Sequence, residues 1–63
     1  MLSNRERNWL TMIAMACRRT GGERADIVPP VIRVKLEQMG WVDRPADDSR
    51  LVITDAGRAA LRG

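Results

Sequence analysis

The chain has 63 residues, of which 44% are hydrophobic and 30% are charged. This length allows one small domain, and the hydrophobic fraction is typical of a globular protein. With no histidine and a single cysteine, Cys17, the sequence excludes an intrachain disulfide and a cysteine–histidine zinc site. We therefore expect one domain over residues 1–63, so small that a partner, either a second copy or another protein, would help to stabilise it.

Eleven Lys and Arg against eight Asp and Glu give a net charge of +3, and ten of the eleven cations are arginine. The planar guanidinium group suits phosphates and base edges, which favours a nucleic-acid binder, although a charge of +3 is also ordinary for a soluble protein. The longest apolar run is far shorter than the roughly 20 residues of a membrane span, and no signal-peptide pattern is present. These features predict a cytoplasmic protein that does not associate with membranes.

The first predicted element is a helix from about Asn4 to Arg19. Ser3 and Glu6 have the spacing of a capping box, and Gly21-Gly22 would end the helix. The apolar residues between these ends recur at helical spacing and form one face.

A second helix is predicted from about Pro30 to Met39. Proline is tolerated in the first turn of a helix, and Gly40 fits its end. Only six residues separate Gly22 from Pro29, so at most one helical turn, around Arg24 to Ile27, fits between the two long helices.

The last third of the chain predicts a β-hairpin followed by a helix. Residues 41–44 and 50–53 are short apolar stretches, and Pro45 to Ser49 between them form a turn-forming cluster. Thr54 can cap the last helix, with Asp55 in its first turn. The fold class is therefore α+β, in the order helix, short segment, helix, hairpin, helix.

The second half of the chain resembles winged-helix transcription regulators of the multiple-antibiotic-resistance-repressor type. Two segments carry the resemblance: residues 36–44, LEQMGWVDR, and residues 51–61, LVITDAGRAAL. In that family the first segment ends the recognition helix and begins the wing, which is the β-hairpin, and the second segment ends the wing and begins the next helix. The resemblance implies DNA binding, with the second helix near the major groove and the wing on the phosphate backbone.

Two features depart from the family pattern. The supporting helix of the helix-turn-helix is reduced to one turn at most, so the domain is a truncated winged helix. The start of the recognition helix carries Pro29, Pro30, Val31 and Ile32 in place of polar or basic side chains, and proline has no backbone N–H to donate. An alternative function is therefore a protein-interaction module, an inhibitor or adaptor of the kind made by phages or mobile elements, that keeps the scaffold without reading a DNA sequence.

Five cations are the candidate nucleic-acid contacts. Arg44 and Arg50 flank the predicted hairpin tip and could face each other across the strands, although Asp43, Asp47 and Asp48 could neutralise them. Their alternative role is that of a solvated pair.

The other three cations belong to the second helix and to the segment before it. We expect Arg33 on or beside the outer face of that helix, with Lys35 partly to the side, although Glu37 could pair with Arg33 at i,i+4. Arg24, in the short connection, could contact a phosphate.

Four apolar residues are candidates for a contact with a partner or a second copy: Met15, Val31, Val34 and Trp41. For both tryptophans, packing in the core is the alternative to base stacking. The predicted core consists of Trp9, Leu10, Ile13, Cys17, Ile32, Leu36, Met39, Val42, Leu51, Ile53 and Leu61.

The sequence offers little for catalysis. No histidine is present to activate a hydroxyl group, and no glycine-rich phosphate loop occurs. We therefore expect a protein that is not an enzyme and that uses no cofactor or metal.

Overall fold

The computed structural model describes residues 2–44 and 49–63. Within these ranges the chain is a small α+β structure, with three α-helices and a three-stranded antiparallel sheet, and it is compatible with a small winged-helix-like fold. The predicted hairpin tip lies mostly outside the described residues, since residues 45–48 are not described.

The elements follow in chain order. Helix α1 spans Asn4–Thr20, strand β1 spans Glu23–Arg24, and a 3-10 helix spans Ala25–Ile27. Helix α2 spans Pro30–Gln38, and strands β2 and β3 span Val42–Asp43 and Arg50–Ile53. Helix α3 spans Asp55–Arg62. Strand β1 was not predicted, and it makes the short segment between the long helices part of the sheet.

The helix ends form as the sequence predicts. The Ser3 hydroxyl accepts from the Glu6 backbone N–H at 3.1 Å, and the Glu6 carboxylate accepts from the Ser3 backbone N–H at 3.3 Å. Gly21, with φ of 85°, caps the other end of α1. The Thr54 hydroxyl accepts from the Gly57 backbone N–H at 3.0 Å, so it caps α3. These bonds satisfy backbone donors that a helix start leaves without an intrahelical partner.

The sheet has the strand order β1-β3-β2, with β3 in the centre. Val42 lies opposite Ile53, and Glu23 lies opposite Leu51. Leu51 and Ile53 are buried while the residues between and before them are only half-buried, so one face of the sheet is covered by the helices and the other is open.

The core lies between the helices and the covered face of the sheet. Seven predicted core residues are buried: Leu10, Ile13, Ile32, Leu36, Val42, Leu51 and Ile53. Trp9, Cys17 and Leu61 are only partly buried and pack against this core. The expectation for Met39 is wrong, because it lies at the C-cap of α2, where the chain turns into β2, and is 47% exposed. Ala25 and Val28 are buried in its place, which ties the short connection to the core.

Candidate nucleic-acid interface

Two of the candidate arginines lie side by side on the open face of the sheet. The register of β1 and β3 puts Arg24 directly opposite Arg50. Residues that face each other in an antiparallel pair project from the same face of the sheet. Because the neighbouring Leu51 is buried, this shared face is the one turned away from the core. The strand pairing thus brings together two cations that are 26 positions apart in the chain.

Hydrogen bonds to the main chain bring a third arginine to the same segment. The Arg50 Nη1 donates to the Gly22 carbonyl at 3.1 Å, and the Arg33 Nη1 donates to the Ala25 carbonyl at 3.0 Å. Gly22 and Ala25 stand on either side of Arg24, about 10 Å apart in an extended chain. We call Arg24, Arg33 and Arg50 the β1 arginine cluster. Its members come from β1, α2 and β3.

Two acidic residues among the described ones are bonded to Arg24: Asp26 through its side chain, and Glu23, whose Oε1 accepts from the Arg24 backbone N–H at 3.0 Å. The Arg24 Nη2 lies 2.9 Å from the Asp26 Oδ2, and both side chains are about two-thirds exposed. An exposed ion pair of this kind contributes about 0–1 kcal/mol, so it can be exchanged for a contact with another anion. Like charges directly opposite in a sheet are destabilising. The bonds to Asp26 and to the Gly22 carbonyl offset that repulsion in the free protein.

Arg33 lies beside the outward face of α2, which is one of the two expected positions. It does not pair with Glu37, since the described residues contain no such ion pair. Arg33 is half-buried because it lies on the flank of α2 beside the 3-10 helix, where its long side chain reaches the Ala25 carbonyl.

Arg44 and Arg50 do not face each other. The β2–β3 pairs are Val42 with Ile53 and Asp43 with Val52, so the next pair in this register would join Arg44 to Leu51. Arg44 is exposed directly after β2, and its backbone N–H donates to the Asp43 carboxylate at 2.9 Å. The expected neutralisation by Asp47 and Asp48 concerns residues outside the described ranges.

Lys35 is exposed on α2, and it forms no ion pair with any described residue. Among the described residues, no hydrogen bond or ion pair connects it to the β1 arginine cluster. Strand pairing and hydrogen bonds therefore connect three of the five candidate cations, and neither Arg44 nor Lys35 is among those three.

The outward face of α2 is apolar at its start and carries one cation, Lys35, one turn after Val31. Val31 is 80% exposed and Val34 is 49% exposed, with Ile27 of the preceding 3-10 helix at 46%. The other exposed residues toward the end of the helix are Glu37 and Gln38. A helix that reads bases in the major groove uses hydrogen-bonding side chains such as Arg, Lys, Asn and Gln on this face. The outward face of α2 thus offers few such groups.

The four candidate partner contacts do not form one patch. Met15 lines a groove of about 490 Å³ along α1, together with Met12, Arg19 and Glu23. Trp41 is half-buried and lines a different groove, which contains neither Val31 nor Val34. Only Val31 and Val34 remain together, on α2.

A second group of arginines was not predicted from the sequence. Arg18 of α1 and Arg58 and Arg62 of α3 line one groove of about 470 Å³, whose other lining residues are Ala14 and Leu61. The spacing of Arg58 and Arg62, four residues apart, does place them on one helix face. The packing of α3 on α1 could not be derived from that spacing, so the third member was not predicted.

Within residues 2–44 and 49–63, no helix has both the length and the apolar character needed to cross a membrane. The same residues contain no group of three or more acidic, cysteine or histidine side chains that could hold a metal ion. In comparisons with known proteins, no family model, no curated protein and no solved structure matches this chain. Its function is therefore inferred from its own residues.

Proposed function

We propose that this protein binds duplex DNA through the phosphate backbone, using the β1 arginine cluster on a reduced winged-helix scaffold. One observation carries the proposal. Guanidinium groups from α2 and β3 donate to the carbonyls of Ala25 and Gly22, so two arginines from other elements are bonded to the short segment that contains Arg24. Arginine is the residue best suited to paired hydrogen bonds with phosphate oxygens.

The hydrogen bonds of Arg33 and Arg50 to main-chain carbonyls hold these side chains in place before a polyanion binds. A guanidinium group has five N–H donors, and the bond from Arg33 to the Ala25 carbonyl uses one nitrogen of that group. A side chain that is already held loses less conformational freedom when it binds a ligand. The cluster can thus position the protein on the DNA backbone.

Such contacts carry little sequence information. Phosphate contacts fix the orientation of a protein on DNA, whereas base edges specify the sequence. Because the outward face of α2 presents mainly Val31, Val34 and Glu37, with Lys35 and Gln38 as its side chains of base-reading type, this helix supplies few base contacts. We expect binding that depends strongly on salt and weakly on sequence.

A titration of a labelled duplex of arbitrary sequence at about 50 and 200 mM salt tests the proposal. Three phosphate contacts predict a loss of affinity of about 40-fold between these concentrations, since log K falls with log salt with a slope of roughly −0.9 per contact. The double variant Arg24→Gln/Arg33→Gln should weaken binding at low salt and flatten the slope by about two. Absence of binding at the lower salt concentration would overturn the proposal.

The matched control is Arg5→Gln/Arg19→Gln. These two arginines are exposed on α1, and the described residues give their side chains no hydrogen bond or ion pair. The control removes the same charge, so it should change the affinity much less than the cluster variant. Equal losses in both variants would show that net charge, rather than the cluster, causes the binding.

A second candidate function is a protein-interaction module, and the apolar outward face of α2 favours it. Ile27, Val31 and Val34 are exposed on consecutive turns, and exposed apolar surface of this kind marks protein contacts. If a second copy covers this face, sedimentation velocity should show a dimer that Val31→Ser/Val34→Ser dissociates. A monomer at all concentrations would exclude the second copy as the partner.

A further inference from the structure

The groove between α1 and α3 concentrates positive charge in a way that the proposed function does not use. Arg18, Arg58 and Arg62 line it, and all three side chains are exposed. The only acidic side chain bonded to any of them within the described residues is Asp55, whose Oδ1 lies 3.5 Å from the Arg58 Nη1. The groove therefore carries a net charge of about +2 when three guanidinium groups are counted against one carboxylate.

This arrangement works against the stability of the free protein. Arg58 and Arg62 are like charges at i,i+4 on one helix, a spacing that destabilises the helix. Arg18 adds a third positive charge from the facing helix. Positions near the ends of α1 and α3 favour Arg18 and Arg62 through the helix dipoles, but this effect does not require the arginines of the two helices to line the same groove.

The other two residues that line the groove indicate what else the ligand should carry. Ala14 and Leu61 supply apolar surface beside the three guanidinium groups. We propose that this groove binds a phosphate monoester that bears an apolar substituent, with the arginines on the phosphate and the substituent against Ala14 and Leu61. A phosphate monoester carries a charge of about −1.5 to −2 near pH 7, which matches the net charge of the groove. A phosphodiester carries a single negative charge and fits less well.

The site is independent of the β1 arginine cluster, because the two sets share no residue. Binding at one can therefore fail while binding at the other succeeds. The probes are phenyl phosphate, inorganic phosphate and dimethyl phosphate, each at constant ionic strength. The measurement is NMR of the arginine Nε–H groups and of the backbone amides.

Phenyl phosphate should shift the signals of Arg18, Arg58 and Arg62 in a saturable manner. The expected dissociation constant is about 1 mM, because ion pairs between solvent-exposed charges are weak. Inorganic phosphate should bind several-fold more weakly, and dimethyl phosphate should give no saturable shift. Arg18→Gln/Arg62→Gln should weaken phenyl phosphate binding at least tenfold, because charge-assisted hydrogen bonds are lost. Arg5→Gln should leave it unchanged.

Two results would overturn the proposal. One is the absence of saturable shifts with phenyl phosphate up to about 10 mM, well above the expected dissociation constant. The other is a set of equal shifts at all exposed arginines, including Arg5, which would show general ion pairing without a site. Thermal unfolding of each variant shows separately whether the fold is retained.

Discussion

The β1 arginine cluster and the groove between α1 and α3 use the same residue type in two different ways. Around β1, the guanidinium groups of Arg33 and Arg50 donate to backbone carbonyls and are half-buried. Between α1 and α3, the arginines are exposed, and the described residues give Arg18 and Arg62 no bonded partner. An arginine can thus be both a hydrogen-bond donor within the fold and part of a positive surface, or part of a positive surface alone. Substitutions should separate these roles.

The largest expected loss of stability is at Gly57 of α3, one of the two helices that form the groove. Gly57 lies where α3 crosses the sheet, and a Cβ there would clash with the Trp41 carbonyl oxygen and lie 2.7 Å from the Ile53 Cγ1. Gly57→Ala should lower the free energy of unfolding by about 3 kcal/mol, because backbone must move to accept the methyl group. Chemical denaturation measures this.

Gly40→Ala is the matched control for that substitution. Gly40 has φ of 75° but no atom within 4 Å of the added Cβ, so the cost should be only the backbone strain of about 1 kcal/mol. If both alanine variants were equally stable, the close approach of α3 to Trp41 would be incorrect.

A smaller loss of stability is expected at Thr54, whose hydroxyl connects α3 to the turn after α2 through two hydrogen bonds. It donates to the Gly40 carbonyl at 2.7 Å and accepts from the Gly57 N–H at 3.0 Å. Thr54→Val removes both bonds and should cost about 2 kcal/mol, while Thr54→Ser keeps them and should cost much less. Ser3→Ala, at the start of α1, should fall between the two at about 1 kcal/mol. Thermal unfolding of the three variants would contradict this order if Thr54→Val proved the mildest.

The smallest effects distinguish the two arginine groups directly. Arg33→Met should lower stability by about 1 kcal/mol through loss of the bond to the Ala25 carbonyl, which still accepts from the Val28 N–H. Arg62→Met, in the groove, should change stability by less than about 0.5 kcal/mol. Equal destabilisation by both substitutions in urea unfolding would remove the distinction between structural and surface arginines.

Local sequence signals predicted the helices well, because each helix start is encoded within a few residues. The Ser3–Glu6 capping box and the Thr54 cap form as expected, and the 3-10 helix is the single turn for which the sequence left room. Strand β1 was missed because two residues carry no periodicity, and its formation depends on pairing with β3 far along the chain.

Tertiary contacts also explain the errors in the candidate site. Helical periodicity places Arg33 away from the core, but it does not show that the Ala25 carbonyl lies within reach of its side chain. The hairpin suggested that Arg44 faces Arg50, whereas the register pairs Arg50 with Arg24 from an element that was not predicted. Residue type therefore identified the candidate cations, and only strand pairing determined which of them meet.

The most direct test of the central claim is an NMR titration of the full chain with a duplex DNA, followed through the backbone amides and the arginine Nε–H groups. We expect the largest shifts from Gly22 to Ala25 and at the side chains of Arg24, Arg33 and Arg50, with smaller shifts at Arg18 and Arg62. Shifts confined to the groove between α1 and α3, or to the outward face of α2, would contradict the assignment of the β1 arginine cluster as the DNA contact.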